Sequence, residues 1–254
     1  MTMKLPLLGT DGKEQGSVTL PAQFQEPINA ALVKKAVLAT ESRQRQPYGS
    51  SPEAGMQQST KLSRRRRDYK GSYGHGISRV PRKVMSGKGS RLYWVGALAP
   101  GTVGGRRAHP PKSFKNWAHK INVKERRKAI RSAIAATVQI ELVKANGHKV
   151  PKVYPFIFVT DIEAMAKTAD VVKALQAAGL KDELARITTK GFGKGPLLVV
   201  SGPCKAIRAA RNIKGVDVVT VKQLNAQVLA PSRNPGRLTI FTKTAIEAME
   251  GLFA

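Results

Sequence analysis

The chain has 254 residues, 41% of them apolar, so it can bury a substantial core, and it lies near the upper size limit of one domain. Forty-four Lys and Arg against sixteen Asp and Glu leave a formal charge of +28, far beyond what solubility requires, so most of the excess must face a polyanion, and nucleic acid is the expected partner. One cysteine, Cys204, excludes an internal disulfide framework and a cysteine-rich zinc site; no basic start precedes a long apolar run and no eighteen consecutive apolar residues occur, so a soluble, cytosolic protein without a membrane span is expected.

At the start, Lys4 to Leu8 and Ser17 to Leu20 are extended stretches around the turn-like Thr10-Asp11-Gly12, and predict a small hairpin. After Pro27, the residues Ile28, Ala31, Leu32, Lys35, Ala36 and Ala39 recur at three and four, which predicts an amphipathic helix. Four basic and four acidic residues make positions 1–41 neutral, whereas positions 42–124 hold nineteen basic residues against Glu53 and Asp68, or +17 of the total.

Gly, Ser, Pro, Arg and Lys crowd the stretch from Gln44 to Pro111, with apolar residues singly or in short runs such as Leu92 to Val95. No sustained period of 3.6 or 2 appears, so too few side chains exist to offset the entropy of ordering the backbone without a partner. An extended arm that threads into RNA is expected, opened by Arg43 and Arg45 and followed by Lys61 and Arg64-Arg65-Arg66-Arg67. Tyr69, Lys70, Tyr73, Arg79, Arg82 and Lys83 come next among glycines: guanidinium forks match phosphate oxygens, tyrosines stack on unpaired bases, and glycines allow close backbone approach to RNA. A solvated charge run or a targeting signal is the plain alternative, but the basic residues here continue for some eighty positions.

The second half of the arm interleaves Lys88, Arg91, Tyr93 and Trp94 with Gly104-Gly105-Arg106-Arg107, His109, Lys112 and Lys115, as expected where bases are exposed. Trp117 reads equally as a core anchor or as a base-stacking group. Beyond Lys120, the pair Asn122 and Glu125 predicts a capped helix start, and an apolar series from Ala129 to Leu142 predicts about five turns ending at Gly147. Lys124, Arg126, Arg127 and Arg131 on its first turns are placed to meet phosphate while another side enters the core.

Four short apolar runs follow, Phe156 to Thr160, Leu197 to Ser201, Val216 to Val219 and Leu238 to Phe241. Helical patterns lie between them at Ala164 to Ala178, Leu180 to Ile187, Cys204 to Asn212 and Val221 to Leu229, and Thr244 with Glu247 begins a last short helix. Apolar strands alternating with helices predict an α/β fold, a three-layer domain with a mostly parallel sheet flanked by helices, plus the long basic internal loop.

Catalytic signals are weak. Gly87-Lys88-Gly89 and Gly191-Phe192-Gly193-Lys194-Gly195 lack the spacing of a phosphate-binding loop, and Gly191 to Pro196 reads as a loop before a strand. Cys204 sits at a predicted helix start, a location that can lower a thiol pKa, but no base is evident, and a buried cap is the better reading. His75, His109, His119 and His148 show no metal-ligand spacing; no catalytic residue, metal or cofactor is expected.

The run Gly104-Gly105-Arg106-Arg107-Ala108-His109-Pro110-Pro111, then Trp117 through Thr137, with Leu224-Asn225-Ala226, Leu229-Ala230-Pro231 and Pro235 through Thr242, resembles the family of the fourth universal protein of the large ribosomal subunit, in its archaeal and eukaryotic form. The likeness runs along essentially the whole chain. It implies one α/β domain, globular over 1–42 and 116–254, and a loop over 43–115 that penetrates large-subunit ribosomal RNA and lines the narrow part of the nascent-peptide exit tunnel. Implied partners are that RNA, neighbouring ribosomal proteins including another tunnel protein, and the passing nascent peptide, with no homo-oligomer of its own. Arg64 to Arg67 and Tyr69 to Arg82 would lie near the tip, and Gly104 to Arg107 and Trp117 to Arg131 in the return leg and root. No long basic tail follows Leu252, which points to the archaeal branch. The competing readings are an RNA-modifying enzyme on an α/β scaffold, which needs a cofactor pocket and an acid or base at the strand ends, and a free RNA chaperone, which would leave ribosomal subunits at moderate salt.

Overall fold

The computed structural model describes residues 3–88, 91–190 and 193–252. In chain order the elements are β1 (Lys4–Leu8), β2 (Glu14–Thr19), a 3-10 turn (Ala22–Gln25), α1 (Ala30–Gln44), β3 (Arg82–Lys88), β4 (Arg91–Gly96), α2 (Val123–Val138) and α3 (Ile140–Ala145). Then follow β5 (Ile157–Phe158), α4 (Asp161–Ala164), α5 (Thr168–Leu175), a π turn (Gln176–Leu180), α6 (Lys181–Lys190), β6 (Leu197–Val200) and α7 (Lys205–Ala210). The chain ends with β7 (Asp217–Thr220), a 3-10 turn (Val221–Gln223), α8 (Ala226–Leu229), β8 (Thr239–Thr242) and α9 (Lys243–Met249). Two compact units result, a body of Met1–Gln44 with Ala118–Ala254, and an arm of Arg45–Trp117.

In the body, six strands form one sheet in the order β2-β1-β5-β8-β6-β7; every neighbouring pair is parallel except β1 with β2. The initial hairpin is therefore part of the main sheet, extending it at one edge. Alternation along the strands sorts the core into two faces, because successive side chains of a strand point to opposite sides. Leu197, Val199, Ile157 and Phe241 pack with Val33, Val37, Ile130 and Ile134 from α1 and α2 and with Ile246 and Met249 from α9. Leu198, Val200, Phe158 and Ile240 pack with Ile162, Val171, Leu175 and Ala209 from α4, α5 and α7. The expected three layers with a mostly parallel sheet are present, and each fully buried Leu, Ile, Val or Phe contributes about 1.5–3 kcal/mol of burial free energy.

Several predicted helices are shorter than their apolar patterns. The five-turn helix expected from Asn122 to Gly147 breaks at Gln139, which is extended (φ −81°, ψ 107°), and the Thr137 carbonyl just before the break accepts a hydrogen bond from the buried Tyr154 hydroxyl. Asn122 makes no side-chain cap; instead Glu125 reaches back to the Asn122 backbone N–H and to Lys35 Nζ at 2.9 Å, so only half of the expected capping box forms. The helix expected over Val221 to Leu229 is interrupted by Leu224, at ψ 125°, and the helix expected over Ala164 to Ala178 by Met165, at ψ 124°. The last helix is capped two residues earlier than expected, at Thr242 rather than Thr244, because Thr242 Oγ1 accepts from the Ala245 amide at 3.2 Å. Gln23 Nε2 donates to the carbonyls of Met249, Glu250 and Leu252, which fastens the turn after β2 to the end of α9.

Candidate RNA interface

Within the arm, the outgoing and returning legs run against each other: Ser50 N–H donates to Pro111 O at 3.2 Å, Gln58 Nε2 to Gly104 O at 3.0 Å, and Lys61 and Arg82 exchange backbone bonds of 3.0 and 3.1 Å. Beyond this bridge, β3 and β4 pair antiparallel with a register shift between Val84 and Gly87. This hairpin corrects the expectation of an arm without regular structure. Its second strand, Arg91–Gly96, alternates in exposure, but the four consecutive apolar residues Leu92 to Val95 conceal that alternation in the sequence. Two glycines admit close approach within the arm. At Gly55 (φ +77°) an added Cβ would lie 2.6 Å from the Arg106 amide, and at Gly105 2.3 Å from the Ala99 carbonyl, so these glycines let the arm approach its own backbone.

These contacts order the arm without giving it an interior. Among its described residues only Gly71, Ser72 and Ala97 are buried, and none has a large side chain. Large apolar groups stand in solvent instead, including Val103 at 92%, Phe114 at 83% and Tyr69 at 77% exposure. Sixteen Lys and Arg occupy Arg45–Trp117, yet among the described residues the one ion pair there is Lys61 with Asp68, at 3.9 Å, a carboxylate that the charge of Arg65 also reaches. The cations sit over rings: Arg45 lies 3.9 Å and Lys115 4.3 Å from the Trp117 centroid, and Arg66 and Arg79 lie 5.2 and 5.1 Å from that of Tyr73. Lys61 and Lys70 lie near Tyr69, and Arg91 near Tyr93. Aromatic faces attract cations, and both groups belong to the chemistry with which proteins hold single-stranded RNA.

The expected contact residues do not all have the same freedom. Arg43, Arg45, Lys61, Arg64 to Arg67, Tyr69, Lys70, Arg79, Lys88, Arg91, Arg106, Arg107, His109, Lys112 and Lys115 are exposed, as are Lys120, Lys124, Arg126 and Arg127 on the body. Arg82 is committed inside the arm, donating to Trp94 O at 2.9 Å and to Ser78 O at 2.9 Å, which anchors the hairpin. Lys83 and Tyr73 are half-buried, and Trp94 meets the His75 ring edge-on with centroids 5.6 Å apart. Trp117 stacks on Tyr48 at 5.8 Å, so its partners are the arm's own aromatic and cationic groups. Arg131, half-buried on α2, pairs with Glu26 at 3.1 Å.

Three buried polar clusters in the body escaped sequence reasoning. Glu163 spans the carboxyl ends of β6 and β8, accepting from Ser201 N–H (3.1 Å), Ser201 Oγ (2.8 Å), Thr242 Oγ1 (2.6 Å) and Thr244 Oγ1 (2.7 Å). Burial pushes its carboxyl up, but these donors outweigh that and hold it below its ordinary value. The strand ends, where an α/β enzyme places its chemistry, are thus occupied by a carboxylate already committed to four donors. Nearby Cys204 is the N-cap of the six-residue α7, and burial pushes its thiol up, contrary to the lowering a helix start can bring. Among the described residues no group of three His, Cys, Asp or Glu is placed to hold a metal.

The second cluster ties α6 to the segment after α3. Glu183, fully buried, accepts from Arg186 through two bonds of 2.8 and 2.7 Å, from the Lys149 amide at 2.8 Å, and meets His148 Nδ1 at 2.7 Å. Burial would raise its carboxyl, yet these donors hold it at about 2. In the third, Arg237 is buried ahead of β8, donating to Asp217 Oδ2 (2.6 Å), Gly195 O (3.0 Å) and Val228 O (2.9 Å). Along the sequence these charges look like surface; only the fold turns them inward. The glycine-rich stretch near Lys194 begins at Gly191 and Phe192, which, like Gly89, lie outside the described residues.

A sequence profile of the ribosomal protein L4/L1 family matches residues 18–252. A protein of Nanoarchaeum equitans named large ribosomal subunit protein uL4 is 43% identical over 262 residues, covering 97% of each chain. Proteins of the same name from Methanococcoides burtonii and Archaeoglobus fulgidus are 41% and 38% identical, covering 97% and 96% of this chain and 98% and 97% of their own lengths.

Proposed function

This chain belongs to the ribosomal protein L4/L1 family, in its archaeal type, and on that premise we propose how its two units serve the large ribosomal subunit. It is a structural, non-catalytic constituent of that subunit that binds ribosomal RNA and works where ribosomes do, in the cytoplasm. The body is the platform. The arm enters the RNA, neutralises phosphates that would otherwise repel as RNA helices pack, and contributes to the wall of the nascent-peptide exit tunnel, beside another tunnel protein and the passing peptide.

One observation carries this reading: the arm has sixteen cations and two carboxylates, and three of its described residues are buried. Such a segment cannot repay its ordering entropy by internal burial, and its unpaired charge is relieved only against a polyanion. Arg64 to Arg67, Lys70, Arg79, Lys88, Arg91, Arg106, Arg107, Lys112 and Lys115 are assigned to phosphates, and Tyr69, Tyr73 and Trp94 to bases. With 6–10 phosphate contacts, affinity for RNA falls roughly 10³- to 10⁵-fold between 50 and 200 mM salt. Sedimentation tests the assignment to the subunit. Co-migration with large subunits that survives high salt is expected of a constituent embedded in RNA, whereas release at moderate salt is the behaviour of a chaperone.

A further inference from the structure

On the face of the sheet opposite α1 and α2, the outer side of α7 carries a shallow groove of about 590 Å³, lined by Pro203, Cys204, Lys205, Ile207, Arg208 and Arg211. Ala206, Ala209 and Ala210 are buried, and such small side chains let the helix lie close to the strands. Residues three apart are neighbours on a helix, so Lys205, Arg208 and Arg211 form a row on the solvent side, all three exposed. Pro203, Cys204 and Ile207 make the floor apolar. No Asp or Glu lines the groove, and among the described residues none of its three cations is in an ion pair. Glu163, whose charge reaches Cys204, is already committed to Ser201, Thr242 and Thr244. The helix packs on β7, the last strand of the sheet. Asp217 N–H donates to Pro196 O across to β6, so the next residue, Val218, turns its backbone N–H and C=O outward, where among the described residues they meet no partner.

We propose that this corner of the body docks an acidic, extended segment of a neighbouring protein. The inference rests on the placement in the large subunit argued above. Charge complementarity selects an anion: Lys205, Arg208 and Arg211 repel one another when the groove is empty, and carboxylates relieve that repulsion. The floor selects a polypeptide over RNA, because a sugar-phosphate backbone has no aliphatic group to seat on Pro203, Cys204 and Ile207. The arm pairs its cations with aromatic rings, whereas no ring lines this groove, so a base has nothing to stack on. The outward backbone of Val218 points the same way, since an extended polypeptide adds to a sheet edge through main-chain hydrogen bonds. A segment in which Asp or Glu alternates with an aliphatic residue supplies carboxylates to the cations and a side chain to the floor.

The test uses the full chain assembled into large subunits, and two readouts that the groove itself provides. Carbodiimide joins a lysine amine to a carboxylate in contact with it, so an amide between Lys205 and an Asp or Glu of a second protein, identified by mass spectrometry, is expected. Cys204, the one cysteine, reports cover: its alkylation by iodoacetamide is expected to be about tenfold or more slower in the subunit than in the free chain, the protection that about 1.4 kcal/mol of docking gives. The double reversal Arg208→Glu, Arg211→Glu is expected to lose both signals, and Lys205→Arg to lose the coupling but keep the protection. Equal alkylation rates in the free and assembled chain leave the groove open and overturn the proposal. Protection without carbodiimide coupling overturns it as well, and ultraviolet cross-linking of Lys205 to ribosomal RNA then assigns the groove to RNA. If the double reversal does not fold or assemble, the two readouts on the parent decide alone. A parent chain that does not migrate with large subunits overturns the placement in the subunit, and the docking site with it.

Discussion

Body and arm are made from one chain under opposite rules. Of the 46 buried apolar residues among those described, Ala97 alone belongs to the arm, and all the others belong to the body. Charge is distributed the other way: five described body carboxylates are in ion pairs, among them Glu183 with Arg186, Asp217 with Arg237 and Glu26 with Arg131, while seven of the arm's sixteen cations rest on its own aromatic rings. The difference teaches that the arm's hydrogen-bonded legs and hairpin set a path without a core, and on the function proposed above its stability as a shape comes from RNA.

The sharpest way to break this comparison is to delete residues 60–100. The body is expected to fold with its circular dichroism intact while affinity for large-subunit RNA at about 0.15 M salt drops by roughly 10³-fold or more, as expected when about four or more phosphates are no longer neutralised. A deletion variant that binds as tightly as the parent in filter binding would contradict the assignment of affinity to the arm. Next in size is a paired truncation. Phe158→Ala, in the body core, is expected to cost about 3–5 kcal/mol in denaturant unfolding, and Tyr93→Ala, on the exposed side of the arm hairpin, within about 0.5 kcal/mol. Equal costs would mean that the arm has a core of its own.

Glu183→Gln follows, at about 3 kcal/mol, because it leaves Arg186 with a poorer partner in a buried setting. The pH dependence has a definite sign. Glu183 titrates at about 2 in the folded protein against an ordinary 4.5, so its contribution is complete above about 4.5 and disappears as pH falls toward 2. Acid unfolding curves of parent and Glu183→Gln should therefore converge across that window, and a constant offset down to pH 2 would rule the cluster out as the source. The smallest effect is expected at Asn122→Ala, within about 0.5 kcal/mol by thermal unfolding, since the side chain caps nothing here. A loss of about 1 kcal/mol or more would show that the cap forms after all.

Where one physical signal dominated, the sequence was readable. Leu197 to Val200 alternate between the two core faces, and runs apolar throughout announce a sheet covered on both sides. The excess of cations over positions 42–124 likewise set that stretch apart from its flanks. Legibility failed where placement depends on distant partners. That the first hairpin joins the main sheet is decided by Leu7 and Leu8 pairing with Ile157 and Phe158, about 150 positions away. Arg237 has the charge of a contact residue and the burial of a core residue, and only Asp217 and two carbonyls explain it. Gly55 carried no sign in the sequence of the close approach it allows to the backbone of Gly105 and Arg106.

Amide hydrogen exchange tests the contrast between the two units most directly, measured residue by residue on the free protein and on the protein within large subunits. Body amides in β5, β6 and β8 are expected to be protected in both, and amides over 45–117 to exchange quickly in the free protein and slowly in the subunit. Arm amides as strongly protected without RNA as with it would contradict the account.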